Sequence, residues 1–243
     1  MEMILTSKAI IIGATSGIGK NLAEVFLREG YTVGLAGRRM HLLDELKEKY
    51  PDRVFLKLID VSQDAEAMDA LDRLILEMEG ADVVVISSGT GFINEDLQWK
   101  PEKETIDVNV SGFAAMSNVA MRYFLSKGLG HLVGISSLAA LRGGSDAPAY
   151  NASKAFVSNY LEGMRKKAAR EGLPITVTNI QPGYVDTAMA KGEGKFWVAS
   201  PREAAEQIYD AIRRKRKHAY VTKRWRLIAW LLKNMPDFLH NKI

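Results

Sequence analysis

Short apolar runs, largely β-branched, alternate along the chain with longer amphipathic stretches. The runs fall at residues 9–12, 32–36, 54–56, 83–86, 132–135, 175–178 and 219–221. The first six have no polar alternate face, as expected of strands covered on both sides by helices. Between them, the stretches near 20–29, 40–49, 64–79, 101–126, 151–171 and 201–216 carry helical periodicity. Strand and helix in strict turn predict right-handed βαβ crossovers and a parallel sheet. The expectation is therefore an α/β, doubly wound Rossmann-type fold. No proline-rich or glycine-serine linker and no internal repeat divides it, so a single domain is predicted over 1–222, followed by a basic amphipathic extension over 223–243. After an irregular stretch at 186–199, Ser200-Pro201-Arg202-Glu203 reads as a capping box with Pro at the first helical position.

Composition narrows the class. With 47% hydrophobic and 26% charged residues among 243, and only 7 Pro, the chain is not disordered, collagenous or a polytopic membrane protein. It has no cysteine, which excludes disulfides, thiolate zinc sites and cysteine nucleophiles, and no metal site is expected. The first seven residues lack the basic and apolar regions of a signal peptide, so a cytoplasmic location is expected. The net charge of +4 is unevenly spread: residues 213–243 hold ten Lys and Arg against Asp237, a balance of +9 that leaves −5 over 1–212. The basic character is thus a surface patch on an acidic body and no property of the fold.

The first strand runs into Gly13-Ala14-Thr15-Ser16-Gly17-Ile18-Gly19 and then into a helix. Glycines there permit a tight turn and let backbone N–H groups approach a pyrophosphate at the positive end of the helix. The spacing G-x3-G-x-G differs from the commoner G-x-G-x-x-G dinucleotide fingerprint and points to a subgroup. The second strand ends in Gly37-Arg38-Arg39, where an NAD-binding fold would place an acid on the ribose 2′-hydroxyl. Two guanidiniums suit a 2′-phosphate instead, so NADP is preferred to NAD. Asp60, next to Val61 after the third strand, lies at a strand's carboxyl end and reads equally as a ligand contact or a helix cap. Ser88 and Gly89 after the fourth strand form a small-residue loop against which a cofactor could lie.

Tyr150 and Lys154 are four apart at the start of a predicted helix, hence stacked on one face. A neighbouring ammonium and a positive nicotinamide ring favour the phenolate, which predicts a lowered tyrosine pKa and proton exchange with an alcohol or ketone. Tyr123 and Lys127 share that spacing, but only Tyr150 has a serine, Ser137, just past the fifth strand, and Lys127 precedes Gly128 as at a helix C-terminus.

Taken together, these motifs resemble the short-chain dehydrogenase/reductase family over residues 8–222. The resemblance implies that Gly13, Gly17 and Gly19 form the cofactor loop, Arg38 selects NADP and Asp60 faces the adenine. It also implies that Asn109 holds a water in a proton relay, Ser137 bonds the substrate oxygen, Tyr150 is the acid/base, and Lys154 binds the nicotinamide ribose. Pro182 and Gly183 resemble the start of the segment around the nicotinamide, with Val185 and Thr187 meeting the carboxamide. Two departures stand out: Ile12 replaces a threonine, and Ile86-Ser87-Ser88-Gly89 stands where the family often has Asn-Asn-Ala-Gly. The activity implied is NADP(H)-dependent interconversion of a small-molecule carbonyl compound and its alcohol; the alternative is a regulatory or scaffold protein that binds cofactor without turnover. A homodimer or homotetramer pairing the long helices is implied too.

Residues 188–199 stand where the family has its substrate lid, with Met189, Phe196 and Trp197 as apolar surface or as core beneath it. A lipophilic substrate would fit. In the tail, a helical wheel puts Trp225, Ile228, Ala229, Leu231, Leu232 and Met235 on one apolar arc, with Lys223, Arg226, Lys233 and Asn234 opposite and Trp230 interrupting the polar side. Such a helix can pack on its own domain or a sister subunit, lie peripherally in a membrane interface, or meet an acidic partner. Nucleic acid ranks last, since the acidic body repels it.

Overall fold

The computed structural model describes residues 7–189 and 196–236. Seven parallel strands form one sheet in the order β3-β2-β1-β4-β5-β6-β7. The strands are β1 (Lys8–Ile12), β2 (Thr32–Gly37), β3 (Val54–Leu58), β4 (Val83–Ile86), β5 (Gly130–Ile135), β6 (Ile175–Pro182) and β7 (His218–Val221). The helices are α1 (Gly17–Arg28), α2 (Asp44–Lys49), α3 (Asp64–Glu77), α4 (Trp99–Ile106), α5 (Phe113–Lys127), α6 (Pro148–Arg170), α7 (Pro201–Arg213) and α8 (Trp225–Asn234).

Successive residues of a strand point to opposite faces, and β1 shows why its run is wholly apolar. Ile10 and Ile12 enter one core with Leu74, Phe113, Phe124 and Leu161, while Ala9 and Ile11 enter the other with Leu22, Phe26 and Ile208. Helices cover both faces, as the unbroken apolar patterning predicts. Chain direction across the sheet reverses between β1 and β4, so the loops leaving their carboxyl ends diverge and open the crevice where doubly wound folds bind ligands.

Three local results refine the sequence reading. The helix expected over 101–126 starts at Trp99 and is interrupted at Asp107–Gly112 by a π turn, a six-residue change of winding between two stretches of ordinary α-helix. Ser200 does cap α7, its Oγ accepting from Glu203 N at 3.1 Å, with Pro201 at the first turn. In α8 the wheel is wrong about one residue: Trp225 and Ala229 are buried and Ile228 packs beside them on Leu138 and Leu141, but Leu231, expected on that arc, is 46% exposed. Trp225 anchors the helix, and its ring sets the rotation that turns Leu231 outward. Residues 237–243 of the expected extension lie outside the described residues. Among the described residues no helix is long and apolar enough to cross a membrane.

Candidate active site

The site is assembled where the chain leaves β1, β2, β4, β5 and β6. At the end of β1, Gly13 has φ +88°, a conformation costly for any residue with a β-carbon. A β-carbon there would also stand 2.5 Å from Ser88 N, and one at Gly19 would stand 2.1 Å from Gly13 O. The absence of side chains thus lets the β4 loop and the first turn of α1 close around one point. Ser16 is the N-cap residue of α1 but makes no side-chain cap, and the first turn carries no acid. The N–H groups of Gly17, Ile18 and Gly19 therefore present an uncompensated positive helix end, a fit for pyrophosphate. Beside it, Ser88 Oγ is buried without a partner. A β-carbon at Gly17 would lie 3.1 Å from the Thr187 methyl, so the segment after β6 arches over the same loop.

At the end of β2, Arg39 Nη2 donates to Thr15 Oγ1 at 3.0 Å and to Ser16 Oγ at 2.9 Å. Arg38 is exposed beside it. The Arg39 guanidinium and two hydroxyls gather at the end of β2 with the exposed Arg38 adjacent in the chain, a donor set that fits a phosphate. Asp60 is neither idle nor a helix cap: its Oδ1 accepts from Ser62 N and Ser62 Oγ, closing a turn, with Val61 buried next to it.

The groups expected to handle the proton come from the β5 loop, α6 and the π turn. Ser137 follows β5, and its Oγ accepts from Ala139 N at 3.1 Å, which leaves the hydroxyl proton free to point elsewhere. Pro148 begins α6, and one turn separates Tyr150 from Lys154. Lys154 is buried, its Nζ donating to Ile135 O at 3.1 Å and standing 5.7 Å from the centroid of the Tyr150 ring. Burial pushes the Lys154 ammonium down to about 8. Burial also raises the Tyr150 phenol, which its hydrogen bond with Ser137 lowers only in part. Loss of hydration at this depth is the largest influence on the phenol, whereas the lowering expected from the sequence rested on the Lys154 ammonium together with a bound nicotinamide ring.

Asn109 lies in the π turn. Its Oδ1 accepts from Thr90 N at 2.8 Å while its Nδ2 donates to Thr90 O at 2.7 Å and Ser153 Oγ at 3.0 Å. Asn109 Oδ1 and Lys154 Nζ each lie 3.3 Å from where a β-carbon at Gly89 would be, so they flank one spot. The residues absent from the sequence reading are the braces. Thr90 and Ser153 hold Asn109; Gly91 leaves room for the Tyr150 ring, which a β-carbon would meet at 2.5 Å; and Ser136 Oγ donates to Lys154 O at 2.7 Å, tying α6 to β5. None belongs to a spaced motif, and each is brought in by a contact distant in sequence.

Pro182 closes β6 and is buried, and past it Val185 pairs with Ala199, so the two ends of the lid segment are pinned together. Gly183 is packed under Trp225, whose ring a β-carbon would meet at 2.2 Å. Phe196 lies tilted against Trp225 at 5.0 Å and Trp197 meets it edge-to-face at 5.7 Å, while the two remain 47% and 40% exposed and Met189 is 40% exposed. They therefore act as surface and as packing at once. Residues 190–195, the centre of the expected lid, lie outside the described residues. The other Tyr-x-x-x-Lys pair is structural: Tyr123 Oη accepts from Ala81 N, and Lys127 Nζ donates to Ala81 O and Asp82 Oδ1.

The model of the short chain dehydrogenase family matches residues 7–196. Among curated proteins, an uncharacterized oxidoreductase of Myxococcus xanthus is 35% identical over 186 residues, covering 74% of this chain and 73% of the relative. An uncharacterized oxidoreductase of Mycobacterium tuberculosis is 31% identical over 228 residues, covering 90% and 89%. Among solved structures, a short chain dehydrogenase of Burkholderia cenocepacia in complex with NADP superposes with a TM-score of 0.83 at 21% identity, covering 98% of this chain and 97% of the other.

Proposed function

The chain belongs to the short-chain dehydrogenase family of oxidoreductases, and we propose that it is an NADP(H)-dependent enzyme interconverting a ketone or aldehyde with its alcohol. The observation that carries this reading is the meeting of Ser137, Tyr150 and Lys154 beside a glycine-walled cradle at the sheet's switch point. When bound, the cofactor supplies the hydride in reduction and takes it up in oxidation.

The cradle residues divide the binding. Gly13, Thr15, Ser16, Gly17, Ile18 and Gly19 hold the pyrophosphate, Arg38 and Arg39 the 2′-phosphate, Asp60 and Val61 the adenine side. Ser88 and Gly89 line the floor, and Pro182, Gly183, Val185 and Thr187 face the nicotinamide. The NADP found in the Burkholderia structure supports the choice of cofactor, as does the lack of an acid beside Arg38 and Arg39.

In reduction, Ser137 turns its hydroxyl proton from Tyr150 to the substrate carbonyl oxygen, donates a hydrogen bond to it and holds it against Tyr150. Tyr150 passes its phenolic proton to that oxygen as the carbonyl carbon accepts hydride, so one proton and one hydride convert C=O to CH–OH. A phenol raised by burial stays protonated at neutral pH, which suits the acid role. Lys154, poised near 8, returns a proton to Tyr150, resupplied through water beside Asn109. Met189, Phe196 and Trp197 favour a lipophilic substrate. The apolar cleft between α4 and α6, lined by Ile106, Val110 and Ala149, supports pairing of subunits as a homodimer or homotetramer.

The test is NADPH oxidation with a panel of lipophilic ketones, for wild type and Tyr150→Phe. Turnover in the wild type, a loss of about 10²–10⁴-fold in kcat for the variant and unchanged NADPH binding are expected. Retained turnover in Tyr150→Phe overturns the mechanism. Tight NADPH binding with no turnover on any carbonyl makes the chain a cofactor-binding scaffold instead.

A further inference from the structure

Helix α8 is apolar on two sides and needs only one to stay on the domain. Its inner side, centred on Trp225 and Ala229, packs on Leu138 and Leu141. Arg142, from the loop between Ser137 and Tyr150, donates to Leu232 O at 2.9 Å and to Met235 O, fastening the far end. The outer side carries Leu227, Trp230 and Leu231, which are 66%, 63% and 46% exposed. Spacings of three and four place them in one stripe. From residue 213 to 236 the chain has nine Lys and Arg and no acid, and Lys223, Arg226 and Lys233 are exposed around the stripe.

An exposed apolar stripe needs a cover, and its charged border decides which. A second copy meeting the same face about a two-fold axis would set these cations against their own duplicates. Nucleic acid would match the charge but leave two leucines without an apolar partner. A layer with a negative surface and a hydrocarbon interior satisfies both features at once. Tryptophan prefers that boundary, and ten helical residues span about 15 Å, enough to lie in it and too little to cross it.

We propose that the outer face of α8 docks the protein on an anionic lipid surface, with Leu227, Trp230 and Leu231 in the acyl boundary and Lys223, Arg226 and Lys233 among the headgroups. The attachment also orients the site. Arg224 Nη2 donates to Trp197 O at 2.9 Å, and its guanidinium lies 5.5 Å from that ring, so the lid adjoins the docked helix. This surface stands whether or not the chain reduces carbonyls.

Flotation of the full-length protein with phosphatidylcholine vesicles, with and without phosphatidylglycerol, tests it. The wild type should float with the mixed vesicles at least about tenfold more tightly than with neutral ones, and high salt should release it. Lys223→Glu/Arg226→Glu should weaken flotation by more than about twentyfold, at about fivefold per basic residue at such a surface. Trp230→Ser/Leu231→Ser should weaken it about tenfold or more while leaving NADPH binding, read by fluorescence, unchanged. Equal flotation with neutral vesicles, or flotation of either variant like wild type, overturns the proposal. So does a Trp230→Ser/Leu231→Ser protein that falls to a smaller assembly on size exclusion, since a second copy then covers the face.

Discussion

Asn109 and Ser153, 44 residues apart, are joined by a hydrogen bond of 3.0 Å from Asn109 Nδ2 to Ser153 Oγ. Ser153 Oγ in turn donates to Tyr150 O at 2.8 Å. One hydroxyl thus connects the π turn to the first two turns of α6, where Tyr150 and Lys154 reside. Ser153 is a positioning residue, and its loss should reach the chemistry through geometry. Ser153→Ala leaves a buried amide N–H short of one acceptor, a cost of about 1–3 kcal/mol. A fall of about five- to thirtyfold in kcat is expected, with the KM for NADPH changed less than twofold. The pH profile of kcat separates this from a merely structural loss: displacement of Tyr150 and Lys154 moves the profile, whereas a lowered active fraction leaves it unmoved.

The two arginines after β2 should separate in their effects. Arg38 is exposed and makes no contact with the glycine loop, whereas Arg39 braces Thr15 and Ser16. Arg38→Ala should weaken NADPH about 10- to 100-fold, the worth of a charge-assisted contact, and leave NADH nearly unchanged. Arg39→Ala should weaken both, because it also frees the loop that either nucleotide needs. Fluorescence titration of the two variants with both nucleotides checks this.

Gly183 and Trp225 couple α8 to the segment after β6 that is proposed to face the nicotinamide. A methyl group at Gly183 would overlap the indole, so Gly183→Ala must shift the ring or the segment. A loss of about 1–3 kcal/mol in stability is expected from such overpacking, together with weaker NADPH binding. Trp225→Ala removes the buried anchor and should cost about 3–5 kcal/mol. Urea denaturation of both variants, with and without NADPH, distinguishes strain near the cofactor from loss of the anchor.

These contacts also explain which parts of the molecule were legible in sequence. Strands such as β1 announce themselves because both faces are buried, and the glycine loop because a backbone shape demands particular residues at fixed spacing. Ser137, Tyr150 and Lys154 were legible for the same reason, two being one helical turn apart and the third closing the preceding strand. Tyr123 and Lys127 have identical spacing, and Gly128, a left-handed helix end at φ +82°, was the local sign that they belong elsewhere. The π turn at Asn109 shifts the helical phase over only six residues, too few for a sequence pattern to mark it. The Thr90, Ser153 and Arg142 braces depend on chain segments that meet only after folding. Leu231 was misplaced because a wheel with apolar residues on both sides has no unique inner face; burial of Trp225 decides it. The burial that raises the Tyr150 phenol was not legible either, since burial depth is a property of the fold.

Acid should destabilise the protein through His131. This histidine is buried between β5 and β6, its Nε2 2.8 Å from Thr178 Oγ1, and burial aided by Lys215 lowers it to about 4. Unfolded, it titrates near its ordinary 6.5. Between those values the unfolded chain binds a proton that the folded chain does not, so stability is full above about 6.5 and falls as pH drops toward 4. The slope from this residue approaches about 1.4 kcal/mol per pH unit within that window. His131→Leu removes the titrating group but leaves Thr178 Oγ1 still donating to Arg216 O. Urea unfolding at pH 7.0 and 5.0 should show the wild type losing on the order of 2 kcal/mol more than the variant over that interval. An equal loss in both proteins would place the acid sensitivity elsewhere, with His218, also lowered to about 4 by burial and by Lys233 and Arg165, as the next residue to replace.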